Sequence, residues 1–168
     1  MPKTVRQVRS REEIQARIRE LAQEIRSNSP EELTVVGILD DAFMFLADLV
    51  RALDTDVSCC FMKVTRHRHG GQSEVTFTSE FDPRGRDILL IGAVVATGIT
   101  LDYIAERLAS CGVKSLRTCM LVDKPGERRV DVKPDFTAFQ MDGDFVFGYG
   151  LGLQNQYRQL PYLAVMDE

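Results

Sequence analysis

The chain has 168 residues, 44% of them hydrophobic, which suits one domain with a substantial core and is too short for two ordinary ones. Its formal net charge of -4 excludes a nucleic-acid binder that works by broad phosphate neutralisation, and only Arg66, His67, Arg68 and His69 form a basic cluster. No apolar run reaches the ~18 to 20 residues of a membrane span and the charged N-terminus lacks a hydrophobic secretion segment, so the expectation is a cytoplasmic protein without a membrane partner.

Ser10 and Glu13 make a capping box, and Ile14, Ile18, Leu21 and Ile25 recur at helical spacing, which predicts an amphipathic helix from Arg11 to Ser27. The turn Asn28-Ser29-Pro30 ends it. Thr34 to Leu39 is a nearly continuous β-rich run, the pattern of a strand covered on both faces in a parallel sheet. Asp40 and Asp41 then precede a second helix, Ala42 to Leu53, with Phe43, Leu46, Val50 and Leu53 predicted to face inward. Acids at that point suit helix capping. Val57 to Val64 reads as a further strand, and the aperiodic, polar stretch Thr65 to Glu80 as a loop of functional length, of the kind that acts as a lid.

Ile88 to Ile91 is the next strand, Thr100 to Ser110 the next helix with Gly112 as its terminator, and Leu116 to Val122 another strand. Beyond Lys124 the pieces shorten to Phe136–Phe139, Phe145–Tyr149 and Tyr162–Val165, a sheet extension or small cap. The alternation implies an α/β fold of right-handed βαβ units, with ligands bound beyond the carboxyl ends of a parallel sheet. Cys59, Cys60, Cys111 and Cys119 show no Cys-x-x-Cys spacing, and three lie in apolar strand-like runs, so buried thiols are expected rather than a metal site or disulfides. His67 and His69 have no third ligand at metal spacing.

Thr97-Gly98-Ile99-Thr100 falls between strand and helix, where backbone N–H groups can converge on an anion with the positive helix end behind them. Read alone, the same turn fits an ordinary capped helix start.

The run from Asp87 to Leu101 closely resembles the signature of type I phosphoribosyltransferases. Gly37 to Arg51 resembles the pyrophosphate-loop strand and helix of the hypoxanthine-guanine branch. Leu121–Pro125 with Arg128–Val130, then Phe145–Leu151 and Tyr157–Tyr162, resemble its base-binding segments, and the similarity holds in register from Arg11 to Val165. The resemblance implies the phosphoribosyltransferase type I fold over residues 1–168 as a single domain: a parallel sheet flanked by helices, with a small C-terminal hood. It also implies a homodimer or homotetramer, and a purine base or nucleotide such as IMP or GMP as ligand. Its 5′-phosphate would lie on Ala96, Thr97, Gly98, Ile99 and Thr100. Lys124 would point at the purine 6-oxygen, Phe145 would stack on the ring and Val146 would offer its backbone to the base edge. Arg158, with Asp40 and Asp41, would stand on the diphosphate side. Without the resemblance, Phe145 reads as core and Lys124 as a solvated turn lysine.

The departures from the family pattern are systematic. The acids that hold the ribose hydroxyls correspond to Gly92 and Ala93, the acid beside purine N7 to Ala96, and a metal-associated aspartate to Gly152, so no catalytic residue and no metal ligand can be named. Losing a positioned general acid or base costs ~10²- to 10⁴-fold in rate, and poorer metal organisation removes several more kcal/mol. Where relatives carry a basic or small residue followed by glycine, this chain has Asp40-Asp41. Each acid at ~4 Å from a diphosphate charge would oppose binding by about 1 kcal/mol in water-like surroundings and about 4 at an effective dielectric of 20. In place of the relatives' Ser-Tyr lid pair stands the basic stretch from Thr65 to Gly71, which reads either as a phosphate clamp or as a solvated loop.

Selective loss of acids favours a catalytically impaired homologue that retains purine or purine-nucleotide binding and needs no cofactor. The alternative is an active salvage enzyme that converts hypoxanthine or guanine plus phosphoribosyl diphosphate to IMP or GMP with Mg²⁺. A third possibility is a structural interaction protein without a ligand. Whether Glu74, Glu80 or Asp102 enters the vacated acidic positions is a question for the structure.

Overall fold

The computed structural model describes residues 4–65, 74–78 and 80–167. Helix α1 (Arg11–Ser27) begins at the expected box: Ser10 Oγ accepts from the Glu13 amide at 3.1 Å, and Glu13 Oε2 accepts from the Ser10 amide at 2.7 Å. Two of the orphan donors at the helix start are satisfied in this way.

Strands β2 (Leu33–Leu39), β3 (Val57–Thr65), β4 (Glu74–Phe77), β5 (Asp87–Val95), β6 (Ser115–Asp123) and β7 (Phe136–Gln140) form one sheet in the order β4-β3-β2-β5-β6-β7. All neighbours run parallel except β4, which pairs antiparallel with β3. The sheet is therefore mixed, and part of the predicted loop from Thr65 to Glu80 is its edge strand. The basic cluster at 66–69 lies outside the described residues.

Side chains alternate between the two sheet faces, and the core divides accordingly. Val35, Leu89, Ile91 and Leu121 pack with Ile14 and Leu21 of α1 and Leu49 of α2 (Phe43–Leu53). Val36, Leu90 and Met120 pack on the opposite face with Ile104 and Leu108 of α3 (Ile99–Ser110). Each fully buried Leu or Ile contributes about 1.5 to 3 kcal/mol, which makes this two-sided burial the main source of stability.

Several details correct the sequence reading. The buried stripe of α2 runs through Phe45, Leu46, Leu49 and Leu53, whereas Phe43 is 42% exposed. The stripe is rotated because α2 packs against α1 as well as the sheet. Neither Asp40 nor Asp41 caps the helix: its N-cap is Ala42 without a side-chain hydrogen bond, and Asp40 contributes only its carbonyl, to the Phe43 amide at 3.2 Å. Of the cysteines only Cys119 is buried; Cys59 is exposed and Cys60 intermediate on β3, which has only the edge strand β4 beyond it, and Cys111 is exposed at the C-terminal end of α3.

The hood is not C-terminal alone. Strand β1 (Thr4–Arg9) pairs antiparallel with β9 (Leu163–Asp167), which pairs with β8 (Val146–Phe147). Most of β1 is exposed, so backbone pairing and the Arg6 Nε to Asp167 Oδ1 bond at 2.8 Å hold it, and it carries no apolar periodicity. The strand expected over Phe145–Tyr149 shrinks to two residues because Gly148, Tyr149 and Gly150 all take positive φ, at 89°, 49° and 92°. That turn delivers Tyr149 to Asp48 of α2, whose carboxylate also accepts from Gln15 Nε2 at 3.0 Å. Hood, α1 and α2 thus meet at one carboxylate. No helix among the described residues is long and apolar enough to cross a membrane.

Candidate functional site

A cavity of about 540 Å³ opens at the carboxyl ends of β2, β3 and β5, where open parallel sheets bind ligands. One wall is the turn from Ala96 to Thr100. Gly98 sits there at φ 82°, and a Cβ at this position would come within 2.4 Å of Val132 Cγ1, so both conformation and packing require glycine. The turn is braced from behind: the Thr97 carbonyl accepts from the Arg129 amide at 2.9 Å, and the Ala96 carbonyl from Arg128 Nη1 at 2.8 Å. Arg128 is in turn held by the buried carboxylate of Asp123 at the end of β6. With its carbonyls occupied from that side, the loop leaves its amide face and the start of α3 for an anion. Ala96, Thr97, Gly98 and Thr100 line the cavity, whereas the Ile99 side chain is 51% exposed and does not.

The positions without acids have been repacked. An ideal Cβ on Gly92 would lie 2.8 Å from Met120 Sδ and 3.2 Å from Ile38 Cδ1, so these two side chains fill the volume a longer residue would occupy. Ala93 packs toward the core beneath α1 and α2. At Gly152, a Cβ would lie 2.8 to 2.9 Å from three guanidinium atoms of Arg158. Arg158 donates to the Gly150 carbonyl at 2.7 Å and to Asp41 Oδ1. Glu74, Glu80 and Asp102 are not among the residues that line the cavity, so none replaces the missing acids.

Asp40 and Asp41 do line it, and both face cations. Asp41 pairs with Arg158, and Asp40 Oδ2 lies 3.8 Å from Lys63 Nζ with both side chains more than half exposed. The bare pair of repelling acids expected from the sequence is thus a neutral group of four charges, and the expected barrier to a diphosphate is correspondingly smaller.

On the base side, Lys124 is only 6% exposed, which removes the reading of a solvated turn lysine. Its Nζ donates to Asp144 O at 2.8 Å, Gly143 O at 3.0 Å and Glu127 Oε1 at 3.1 Å. Phe145 is 63% exposed, which removes the core reading, while Val146 is buried and pairs with Val165. None of these three lines the cavity with the turn from Ala96 to Thr100. The Lys124 amide, however, donates to the Val95 carbonyl at 2.9 Å, so the base-side segment abuts the end of β5. Sequence reasoning missed Lys63, Met120 and Glu127. Only Glu127 carried a local signal, its three-residue spacing from Lys124.

A six-strand sheet with an anion-ready turn after its central β5 and a small antiparallel hood defines an α/β protein built to hold a phosphate beyond the carboxyl ends of its strands. The chain belongs to the phosphoribosyl transferase domain family, whose family-wide pattern matches residues 5–156. It is 37% identical over 162 residues to the hypoxanthine-guanine phosphoribosyltransferase of Bacillus subtilis, covering 94% of this chain and 90% of that protein. The hypoxanthine phosphoribosyltransferase of Salmonella typhimurium is 36% identical over 166 residues, covering 93% of each. A crystal structure of a hypoxanthine-guanine phosphoribosyltransferase from Bacillus anthracis superposes with a TM-score of 0.89 at 27% identity, covering 98% of this chain and 100% of that one.

Magnesium prefers an octahedron of oxygen ligands, most of them water, with one or two carboxylates. Positions 92, 93, 96 and 152 offer no side-chain oxygen, and a Cβ at 92 or 152 would meet the ends of Met120 and Arg158. Asp40 and Asp41 already face cations, and among the described residues no group of three His, Cys, Asp or Glu could hold a metal. The residues present do not fit a resident magnesium site.

Proposed function

We propose that this chain is a purine-nucleotide-binding member of the hypoxanthine-guanine branch, acting as one cytoplasmic domain, in which transfer of ribose phosphate is impaired. The 5′-phosphate sits on the backbone of Ala96 to Thr100, with the base toward Phe145, Lys124 and Val146. Arg158 and Asp41 close the diphosphate side as an internal ion pair. The observation that supports this reading most is the selectivity of the repacking. The phosphate turn keeps its left-handed glycine and its braces, while Met120 and Arg158 fill the places of residues 92 and 152. Phosphate recognition survives that change, whereas a positioned acid or base does not. Calorimetry with IMP, GMP, hypoxanthine and guanine is the test. Binding of IMP or GMP with turnover at the background rate is expected, and absence of binding by all four would remove the proposal.

A second reading, an active salvage enzyme, draws support from Asp40. Its carboxylate is 66% exposed, faces the same cavity and, among the described residues, has a single ionic contact, to Lys63 at 3.8 Å, so it is open to a cation that arrives with phosphoribosyl diphosphate. IMP formation from saturating hypoxanthine and phosphoribosyl diphosphate, reduced by Asp40→Asn, would favour this reading over impairment. In either case sedimentation should find a dimer or tetramer.

A further inference from the structure

Lys124 has no donor to spare. An ammonium carries three N–H groups, and here they meet three acceptors: Asp144 O, Gly143 O and Glu127 Oε1. Two of these acceptors are fixed. The carbonyls of Gly143 and Asp144 belong to the turn that leads into Phe145, and that turn is stitched to the opposite segment by Asp142 Oδ1, which accepts from the Gly126 amide at 2.9 Å. The third can move. Glu127 ends the short 3-10 turn Pro125–Glu127, its side chain is 42% exposed, and rotation into solvent breaks no backbone hydrogen bond.

We propose that Glu127 is a specificity-determining residue for the purine base: it occupies the one Lys124 donor that a 6-oxo group would have to take. The inference rests on the purine-binding reading above. An oxopurine binds in full only when the carboxylate has swung away, so its affinity is reduced by the fraction of molecules in which Lys124 is released. An aminopurine presents a donor at the same place, gains nothing from Lys124 and loses nothing to Glu127. The chain therefore discriminates weakly between IMP and AMP, because a site selects strongly for a hydrogen-bonding group only when its own partner for that group stands unpaired without it. Lys124 meanwhile acts as a positioning residue that fixes the turn carrying Phe145.

The test is calorimetric measurement of Kd for IMP and for AMP with the wild-type chain, Glu127→Ala and Glu127→Gln. Removing the competing acceptor in Glu127→Ala should raise the preference for IMP over AMP by about tenfold, the size of one charge-assisted hydrogen bond. Glu127→Gln keeps a weaker, neutral acceptor and should shift the preference in the same direction by less, which also provides a reading if the alanine variant folds poorly. A general loosening of the turn would change both affinities alike, so an unchanged IMP to AMP ratio in both variants overturns the proposal while leaving purine binding intact. Failure of the wild-type chain to bind either nucleotide overturns the underlying reading and this one with it.

Discussion

The guanidinium of Arg158 occupies the space that a side chain on residue 152 would fill, and from there it reaches the carboxylate of Asp41, whose backbone packs against Gly150. Glycine at 152 and aspartate at 41 are thus two halves of one rearrangement. With glycine at 152 offering no acid, the guanidinium takes its carboxylate partner from the neighbouring loop after β2.

This pairing predicts the effect of Asp41→Ala. The Asp41 side chain is 53% exposed, so loss of the ion pair should change stability by less than about 1 kcal/mol. Arg158 keeps its bond to the Gly150 carbonyl and gains a free edge toward the cavity. Affinity for phosphoribosyl diphosphate should rise about five- to tenfold, as removal of one facing negative charge in a partly screened site implies. Calorimetry at low and at physiological salt checks it, and a loss of affinity would show that the carboxylate serves the ligand rather than opposing it.

Gly92 and Met120 form the second rearranged pair. Restoring an acid with Gly92→Glu forces the Met120 thioether and Ile38 aside and should destabilise the fold by about 1 to 3 kcal/mol. Combining it with Met120→Ala opens the needed volume, so the double variant should be more stable than the sum of the single changes by at least about 0.5 kcal/mol. Urea denaturation of the four proteins gives the coupling directly, and strict additivity would mean that the glutamate leaves through the cavity mouth without touching Met120.

Short-range features of the fold are legible in the amino-acid sequence. Ser10 and Glu13 mark a helix start because the capping box is made within four residues, and Thr97-Gly98 marks the turn into α3 because a left-handed glycine between strand and helix is a local constraint. The five resemblant segments carry the fold for the same reason. What the sequence hides is long-range. Met120 sits on a neighbouring strand from Gly92, Asp41 lies far along the chain from Arg158, and the β1 strand gives no apolar pattern because its partners are backbone groups. Asp40 and Asp41 resemble helix caps in sequence because capping is the commonest use of an acid before a helix, whereas in the fold both turn outward to cations.

Gly98→Ala should separate phosphate binding from folding only partly. The added methyl would stand 2.4 Å from Val132 Cγ1 on a residue at φ 82°, which combines backbone strain with a clash. A cost of about 2 to 4 kcal/mol in stability is expected, together with loss of IMP binding at ligand levels that saturate the wild-type chain. The comparison variant Gly85→Ala has a similar φ of 69° but open space around it, so it should show the backbone cost alone and leave binding unchanged. Equal losses in the two variants would mean that the turn is not where the anion sits.

Tyr149 gives the fold an alkaline limit. Burial pushes its phenol pKa well above the usual value, and the hydrogen bond to the Asp48 carboxylate adds to this by favouring the protonated form. The group is therefore harder to ionise in the folded chain than in the unfolded one, where it titrates near pH ~10. Its contribution to stability is fully present below about pH 10 and is lost as pH rises beyond that, because the unfolded chain releases a proton that the folded chain must keep. Replacement by Phe removes the hydrogen bond, costing about 1 kcal/mol at neutral pH, while Asp48 keeps Gln15 and Arg51 as partners. Thermal melts from about pH 8 to about pH 11 should thus show the wild-type Tm falling toward that of Tyr149→Phe, the gap between the two narrowing above about pH 10. A gap that stays constant through this range would mean that Tyr149 ionises as easily in the folded protein as in the unfolded chain, and that the carboxylate it shares with α1 and α2 is not what holds the hood in place.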